Sequence, residues 1–233
     1  VFYAIAPTGT PVAIKVFRAV EGAFDACRRE FWLLYAADPR WTAPALRYGA
    51  SPAGPYLVMA YLPGYVGVNL WVAGSLSHQQ LCLFGSSLAQ ALDALRDRGL
   101  VHCDVKPSNL LVRGNDVRLI DFGIARYTGE ICGADGTVQC SRGWAAPEQL
   151  RTTAATSAFD VFAWGCVLAY LASGVHPFAS RDEREWILRV QSTQPDLCGL
   201  APGLHDVVGA TLERDPRNRP SARELIMTCR TLA

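Results

Sequence analysis

The stretch HCDVKPSNLLVRGNDVRLIDFG, residues 102–123, sets Asp104, Lys106, Asn109 and Asp121 between short apolar runs. Asp104 and Asn109 fall in one loop. Asp121 follows a span that reads as strand NLLV, turn RGND and strand VRLID, so three oxygen-bearing side chains can converge on a small volume. Hard divalent cations such as Mg2+ take ligands of this kind and keep positions open for water and phosphate oxygens. Lys106, two residues from Asp104, can neutralise charge on a phosphoryl group in transfer. These residue types at these intervals suit phosphoryl transfer.

The rest of the chain must hold that loop in place. Residues 1–18 read as a hairpin, VFYAIA and PVAIKVF around PTGT, where Gly9 can adopt positive φ. In GAFDACRREFWLLYAA, Phe24, Cys27, Phe31 and Leu34 recur at three- and four-residue steps, which predicts a helix halted near Pro39. A second hairpin, PALRYGA and PYLVMAY, turns at SPAGP. Helices follow. Ser77 can cap one whose buried face is Leu81, Phe84, Leu88, Leu92 and Leu95, with Gly99 at its end. VFAWGCVLAYLAS, residues 161–173, is apolar on every side, as a core helix is. An amphipathic helix around REWILRVQ and a closing pair around LHDVVGATL and SARELIMTCRTL complete the pattern. A small β-rich lobe, residues 1–62, therefore precedes a larger helical lobe, residues 63–233, with YLPG at 61–64 as the joint. The fold class is α+β and bilobal.

Composition narrows the function classes. Half of the 233 residues are apolar and 18% are charged, below the usual quarter or so, so the chain reads as folded throughout. Its 22 basic and 21 acidic side chains leave a net charge of +1, which gives no electrostatic reason to expect a nucleic acid or an anionic membrane as the main partner. The thirteen-residue apolar run is too short to span a bilayer. Eight scattered cysteines without a CxxC pair or a leading secretory signal read as reduced thiols in a cytoplasmic protein. Cys132 and Cys140 have no further ligands at zinc-site spacing.

HCDVKPSN resembles the HRDxKPxN catalytic loop of eukaryotic-type protein kinases, and DFG at 121–123 their magnesium loop. VAIK at 12–15 is similar to their third-strand lysine motif and AAPE at 145–148 to their APE motif, while FDVFAWG and DPRNRPSA resemble later helical landmarks. Order and spacing agree over nearly the whole chain. Lys106 is the serine/threonine-kinase pattern, and the Ala- and Arg-rich surroundings resemble the bacterial branch. The resemblance implies ATP and Mg2+ as cofactors and proteins as substrates.

It also implies roles. Lys15 binds the α- and β-phosphates and is held by Glu30, with Glu21 as the rival partner. Asp104 accepts or orients the proton of the attacking hydroxyl, and Asn109 and Asp121 hold Mg2+. Met59 stands behind the adenine, backbone groups of Ala60 and Leu62 bond its edge, and Ala13 and Leu111 sandwich the ring. Ser141 contacts the catalytic aspartate. Other motif residues are structural: His102 packs on Phe122, Asp160 accepts backbone hydrogen bonds from the 102–104 loop, and Glu148 pairs with Arg219. His78, His176 and His205 have no convergent partners and read as surface or turn residues.

Two departures from the family pattern stand out. No GxGxxG precedes Lys15; by spacing, Val1 is the valine that closes that motif, so the glycines are expected upstream of this sequence, along with any membrane tether. Cys103 stands where the family has an arginine that pairs with a phosphorylated activation segment. A thiol cannot do this. The segment 121–148 is therefore expected to be ordered by its own contacts, with Thr128 and Thr137 as dispensable modification sites and Cys103 as a buried, inert thiol, a redox role being the alternative reading. The alternative reading is a nucleotide-binding scaffold without turnover. A small-molecule phosphotransferase would need neither the APE segment nor Ser141.

Overall fold

The computed structural model describes every residue except Val72, 133–139 and Arg142. Strands β1 (Phe2–Ile5) and β2 (Pro11–Val16) form the first hairpin, β3 (Ala45–Ser51) and β4 (Gly54–Ala60) the second, all antiparallel in the order β1-β2-β4-β3. Gly9 turns the first hairpin at φ 80. The pairing of β2 with β4 puts Lys15 opposite Leu57, which is fully buried. Helix α1 (Ala23–Ala36) packs on β3 and β4. Its buried stripe is Cys27, Glu30, Phe31 and Leu34. Phe24, expected on that face, is 44% exposed. It lies in the helix's first turn and reaches inward only as far as the ring of Tyr48, 6.0 Å away.

Beyond Gly64 the chain becomes mainly helical. Strand β5 (Val66–Gly67) leads to α2 (His78–Asp97), which opens on a reciprocal cap between Ser77 and Gln80. That cap satisfies backbone donors that the first helical turn leaves open. All five residues expected on its inner face are buried, and Gly99 ends the run at φ 67. Strand β6 (Leu100–Val101) and the hairpin β7 (Leu110–Arg113) and β8 (Asp116–Leu119) follow; β5, β7 and β8 make a three-stranded sheet. Asn109 and Asp121 lie just outside this hairpin, one at each end. Strand β9 (Arg126–Tyr127) pairs with β6, and β10 (Ile131–Cys132) with β11 (Thr153–Ala154).

Helix α3 (Ser157–Ser173) is the axis of this half, with Phe159 through Ala169 buried without interruption. Trp164 donates its indole N–H to the Gly85 carbonyl at 2.9 Å, so the largest side chain of the core also satisfies its one polar atom. Helix α4 (Glu183–Ser192) follows, α5 (Pro202–Thr211) packs on α3, and α6 (Ala222–Leu232) lies along α2. No described helix is long and apolar enough to cross a membrane. His78 and His205 are exposed, as expected. His176 is not: Trp144 meets its ring edge-on at 4.9 Å and Phe178 donates its backbone N–H to Nδ1 at 3.1 Å.

Gly165 is a close-approach position in α3. An added methyl would overlap Oγ1 of buried Thr211 and press on Leu212. Gly165→Ala is expected to cost about 1–3 kcal/mol, read as a lower urea midpoint, and the double variant with Thr211→Ala is expected to recover part of that loss. Equal midpoints for wild type and Gly165→Ala would show that α3 and α5 can separate freely.

Candidate active site

Lys15 comes from the centre of the sheet, Glu30 from the inner face of α1 and Asp121 from the end of β8. The Lys15 ammonium lies 2.7 and 2.8 Å from the two Glu30 oxygens and 2.7 Å from Asp121 Oδ1. Burial works against the charge on Lys15, but Glu30 and Asp121 outweigh it and hold its pKa above the ordinary lysine range. Burial also pushes the Glu30 carboxyl up, against the pull of Lys15. On Asp121 the ammonium prevails over burial and the pKa is lowered. Glu21, the rival partner, is exposed in the turn before α1.

A second cluster forms around Asp104. Its Oδ2 accepts from Lys106 Nζ at 2.9 Å and from Asn109 Nδ2 at 2.9 Å. Lys106 Nζ also meets the Ser141 hydroxyl. Where direct contact of Ser141 with Asp104 is expected, the lysine stands between them, because its ammonium has donors for both. Asp104 Oδ1 is buried and has no hydrogen-bond partner among the described residues.

The loop carrying Asp104 is held from below. Asp160, in the first turn of α3, accepts the backbone N–H of His102 at 2.7 Å and of Cys103 at 2.9 Å. Burial raises its pKa to about 7, while those two bonds favour the carboxylate. His102 is fully buried, 4.8 Å edge-on to Phe122. Its Nδ1 accepts from the Asp104 N–H and its Nε2 faces the Ile120 carbonyl, so the network assigns a neutral ring with the proton on Nε2. Burial lowers its pKa, consistent with that form. Glu148 and Arg219 pair in bidentate fashion at 2.6 and 2.8 Å, and the guanidinium also donates to the carbonyls of Glu213 and Ala158.

Between the sheet and the loop lies a cavity of about 380 Å³. Ala13 and Met59 line it from the sheet, Leu111 and Ile120 from the hairpin below, Val1 at the mouth, and Lys15, Asn109 and Asp121 at the polar end. Ala60 and Leu62 also line it. The Ala60 N–H is already given to the Pro44 carbonyl, and the Leu62 N–H has no partner among the described residues. An apolar slot with a few convergent polar groups is what a small-molecule site requires. Among the described residues no three His, Cys, Asp or Glu side chains gather as a metal cluster. Asn109 and Asp121 are a two-residue oxygen set instead. The Asn109 amide nitrogen is spent on the Asp104 carbonyl and carboxylate, which leaves its oxygen as the free donor atom. That set fits a hard cation that completes its shell with water or phosphate.

Three contacts have no signal in local sequence. Tyr65 lines the cavity mouth, accepts from Arg118 at 3.0 Å and bonds Asp116. Gln149 donates to the Cys103 carbonyl at 3.1 Å. Arg29, beside Glu30, brings its Nη2 to both Glu130 oxygens at 2.7 and 2.8 Å and so links α1 to the segment after Asp121. Each joins elements distant in sequence, and only an assembled fold reveals it.

Comparison with known proteins gives a consistent picture. The family model described as protein kinase domain matches residues 1–228. The chain is 32% identical over 97% of its length to a protein of Thermomonospora curvata named probable serine/threonine-protein kinase PkwA. It is 29% identical over 97% to serine/threonine-protein kinase AfsK of Streptomyces coelicolor, and 30% identical over 93% to serine/threonine-protein kinase pkn2 of Myxococcus xanthus. It spans 31%, 29% and 29% of those three proteins, so each is far longer than this chain.

His176 packs against Trp144, three residues from Ser141, and burial pulls its pKa down from 6.5 to about 4. A histidine depressed in the folded state stabilises the fold above its unfolded pKa, and that contribution is lost as pH falls. The stability lost between pH 6.5 and pH 4 is therefore expected to be smaller in His176→Gln than in wild type, measured as urea midpoints at both pH values. A His176 ring resonance that titrates near 6.5 would contradict this.

Proposed function

Since the chain belongs to the protein kinase family over residues 1–228, we propose that it transfers the γ-phosphoryl group of ATP to serine and threonine hydroxyls of proteins. The observation that carries this reading is the convergence of the Lys15–Glu30 pair, the Asp104–Lys106–Asn109 cluster and Asp121 around one cavity. In this reading Ala13 and Leu111 enclose the adenine, and the Ala60 carbonyl and Leu62 N–H bond its edge. Met59 backs the slot and Val1 closes its mouth. Lys15, oriented by Glu30, gives up its bond to Asp121 for the phosphates. Asp104 Oδ1, buried and without a partner among the described residues, is the oxygen placed to accept the substrate hydroxyl's hydrogen. Lys106 stays paired with Asp104 Oδ2 and offsets charge on the transferring group, and Ser141 holds Lys106 in that position. Asn109 and Asp121 would hold Mg2+, which supplies charge neutralisation at the phosphates. The joint of the two lobes is taken at residues 61–64. The chain's free thiols favour a cytoplasmic setting.

The intact Lys15–Glu30 pair favours turnover over a scaffold role. The segment after Asp121 also needs no phosphate for its described contacts: β9 pairs with β6, β10 with β11, Glu130 with Arg29, and the Thr128 N–H with the Gly99 carbonyl at 2.8 Å. We therefore read activity as independent of phosphorylation there. Thr128 is exposed; Thr137 lies outside the described residues.

Asp104→Asn is expected to lower kcat by about 10²–10⁴ with little change in ATP affinity, measured by phosphate transfer to a generic protein substrate and by nucleotide titration. Wild-type protein that binds ATP and transfers nothing would leave only the scaffold reading. The variant Thr128→Ala with Thr137→Ala is expected to keep near wild-type turnover; a loss of about a hundredfold or more, on the scale of a phosphate-dependent switch, would refute independence.

A further inference from the structure

Cys103 lies in a small apolar cluster with Val101, Ala155 and Phe159, and Cys132 packs against that cluster from β10. The Cys103 Sγ points to the Val101 carbonyl at 3.6 Å within this cluster. One belongs to the loop that carries Asp104, the other to the segment that follows Asp121. We propose that Cys103 and Cys132 form a dithiol modification site, oxidised by hydroperoxides to an intrachain disulfide that ties this segment to the Asp104 loop.

Both sulfurs belong to one packed cluster, and rotation about the side-chain bonds is the movement that closes them to the S–S length of about 2.05 Å. Access separates the two roles: Cys132 is half-buried and open to a small oxidant, whereas Cys103 is buried behind it. Charge separates them too. The neighbouring Cys103 thiol and the Arg126 guanidinium favour the Cys132 thiolate and bring its pKa down to about 7, against burial and the nearby Glu130 carboxylate. The Cys103 thiol is pushed up by its neighbour Cys132, by burial and by Asp160. Cys132 is thus the thiolate that attacks and Cys103 the thiol that resolves. The pair Cys82 and Cys229, between α2 and α6, is fully buried on both sides and offers no such entry.

The reaction balances with hydrogen peroxide as oxidant. The Cys132 thiolate attacks one peroxide oxygen and the O–O bond breaks. Hydroxide leaves and is protonated to water, and Cys132 becomes a sulfenic acid. The Cys103 sulfur then attacks the Cys132 sulfur, its proton departs with the sulfenic hydroxyl as a second water, and the S–S bond forms. Two thiols are oxidised by two electrons in all, and one peroxide is reduced.

The consequence rests on the kinase reading above. Position 103 is where an arginine would bind a phosphate on the same segment; the disulfide restrains the same two pieces of chain without one.

The test is non-reducing peptide mapping of the intact chain after mild hydrogen peroxide at neutral pH. The expected result is one cross-linked peptide pair containing Cys103 and Cys132, lighter by two hydrogens, reversed by dithiothreitol and absent from Cys132→Ser. Cleavage within the segment by a protease should slow on oxidation of the wild type and be unaffected in the variant. Sulfinic acid at Cys132 with Cys103 still a free thiol, or a bridge from Cys132 to any other cysteine or to a second chain, would overturn the proposal. The mapping needs no turnover. A bridged but inactive protein would therefore count against the kinase reading alone, and an active protein without the bridge against this proposal alone.

Discussion

Asp160 is enclosed at the start of α3, yet both its oxygens are met by backbone N–H groups from one turn of chain. A buried carboxylate left without such donors is costly, so the loop must present them. It does so with Cys103 in the left-handed region at φ 64, a conformation that costs a side-chain-bearing residue about 1–2 kcal/mol. The helix on which the core is built thereby fixes the direction in which Asp104 leaves the loop. Everything at the site that depends on Asp104, including Lys106, Asn109 and the reach to Ser141, inherits its position from that one carboxylate.

The other half of the site depends on a shared ammonium. Lys15 stands between Glu30 and Asp121, so β2, α1 and the end of β8 meet at a single charge. Glu30 is 2% exposed, and removing one member of a buried pair costs about 3–5 kcal/mol because the other is left unpaired. Arg29, one residue earlier on α1, reaches the opposite way to Glu130. A shift of α1 would break both contacts together, which couples the position of Glu30 to the order of the segment that ends β8. The same segment touches the Asp104 loop through Cys132 and Cys103.

Much of this was legible beforehand. The hairpins, the capped α2 with its five buried apolar residues and the buried α3 follow from periodicity and turn residues, and the pairs Lys15–Glu30 and Glu148–Arg219 from the resemblance to the kinase family. The exceptions share a cause. Phe24 fits the helical stripe but lies in the opening turn. His176 sits in a polar-looking turn but is covered by Trp144, some thirty residues earlier. Ser141 reaches Asp104 only through Lys106, because the order in which three polar groups stack is set by the lengths of their side chains in the folded site. Tyr65, Gln149 and Arg29 have partners more than forty residues away, and no local pattern marks them.

Sequence alone determined which residues could do chemistry and which elements carry them, because residue type, hydrophobic period and motif order are local properties of the chain. It also put a thiol, Cys103, directly before Asp104. Only the tertiary structure decided what that thiol faces. Cys132 is twenty-nine residues away in sequence, and its approach depends on β9 pairing with β6 and β10 with β11, registers between strands distant in the chain. Charge and burial at a side chain are properties of its neighbours, and those neighbours exist only once the chain has folded.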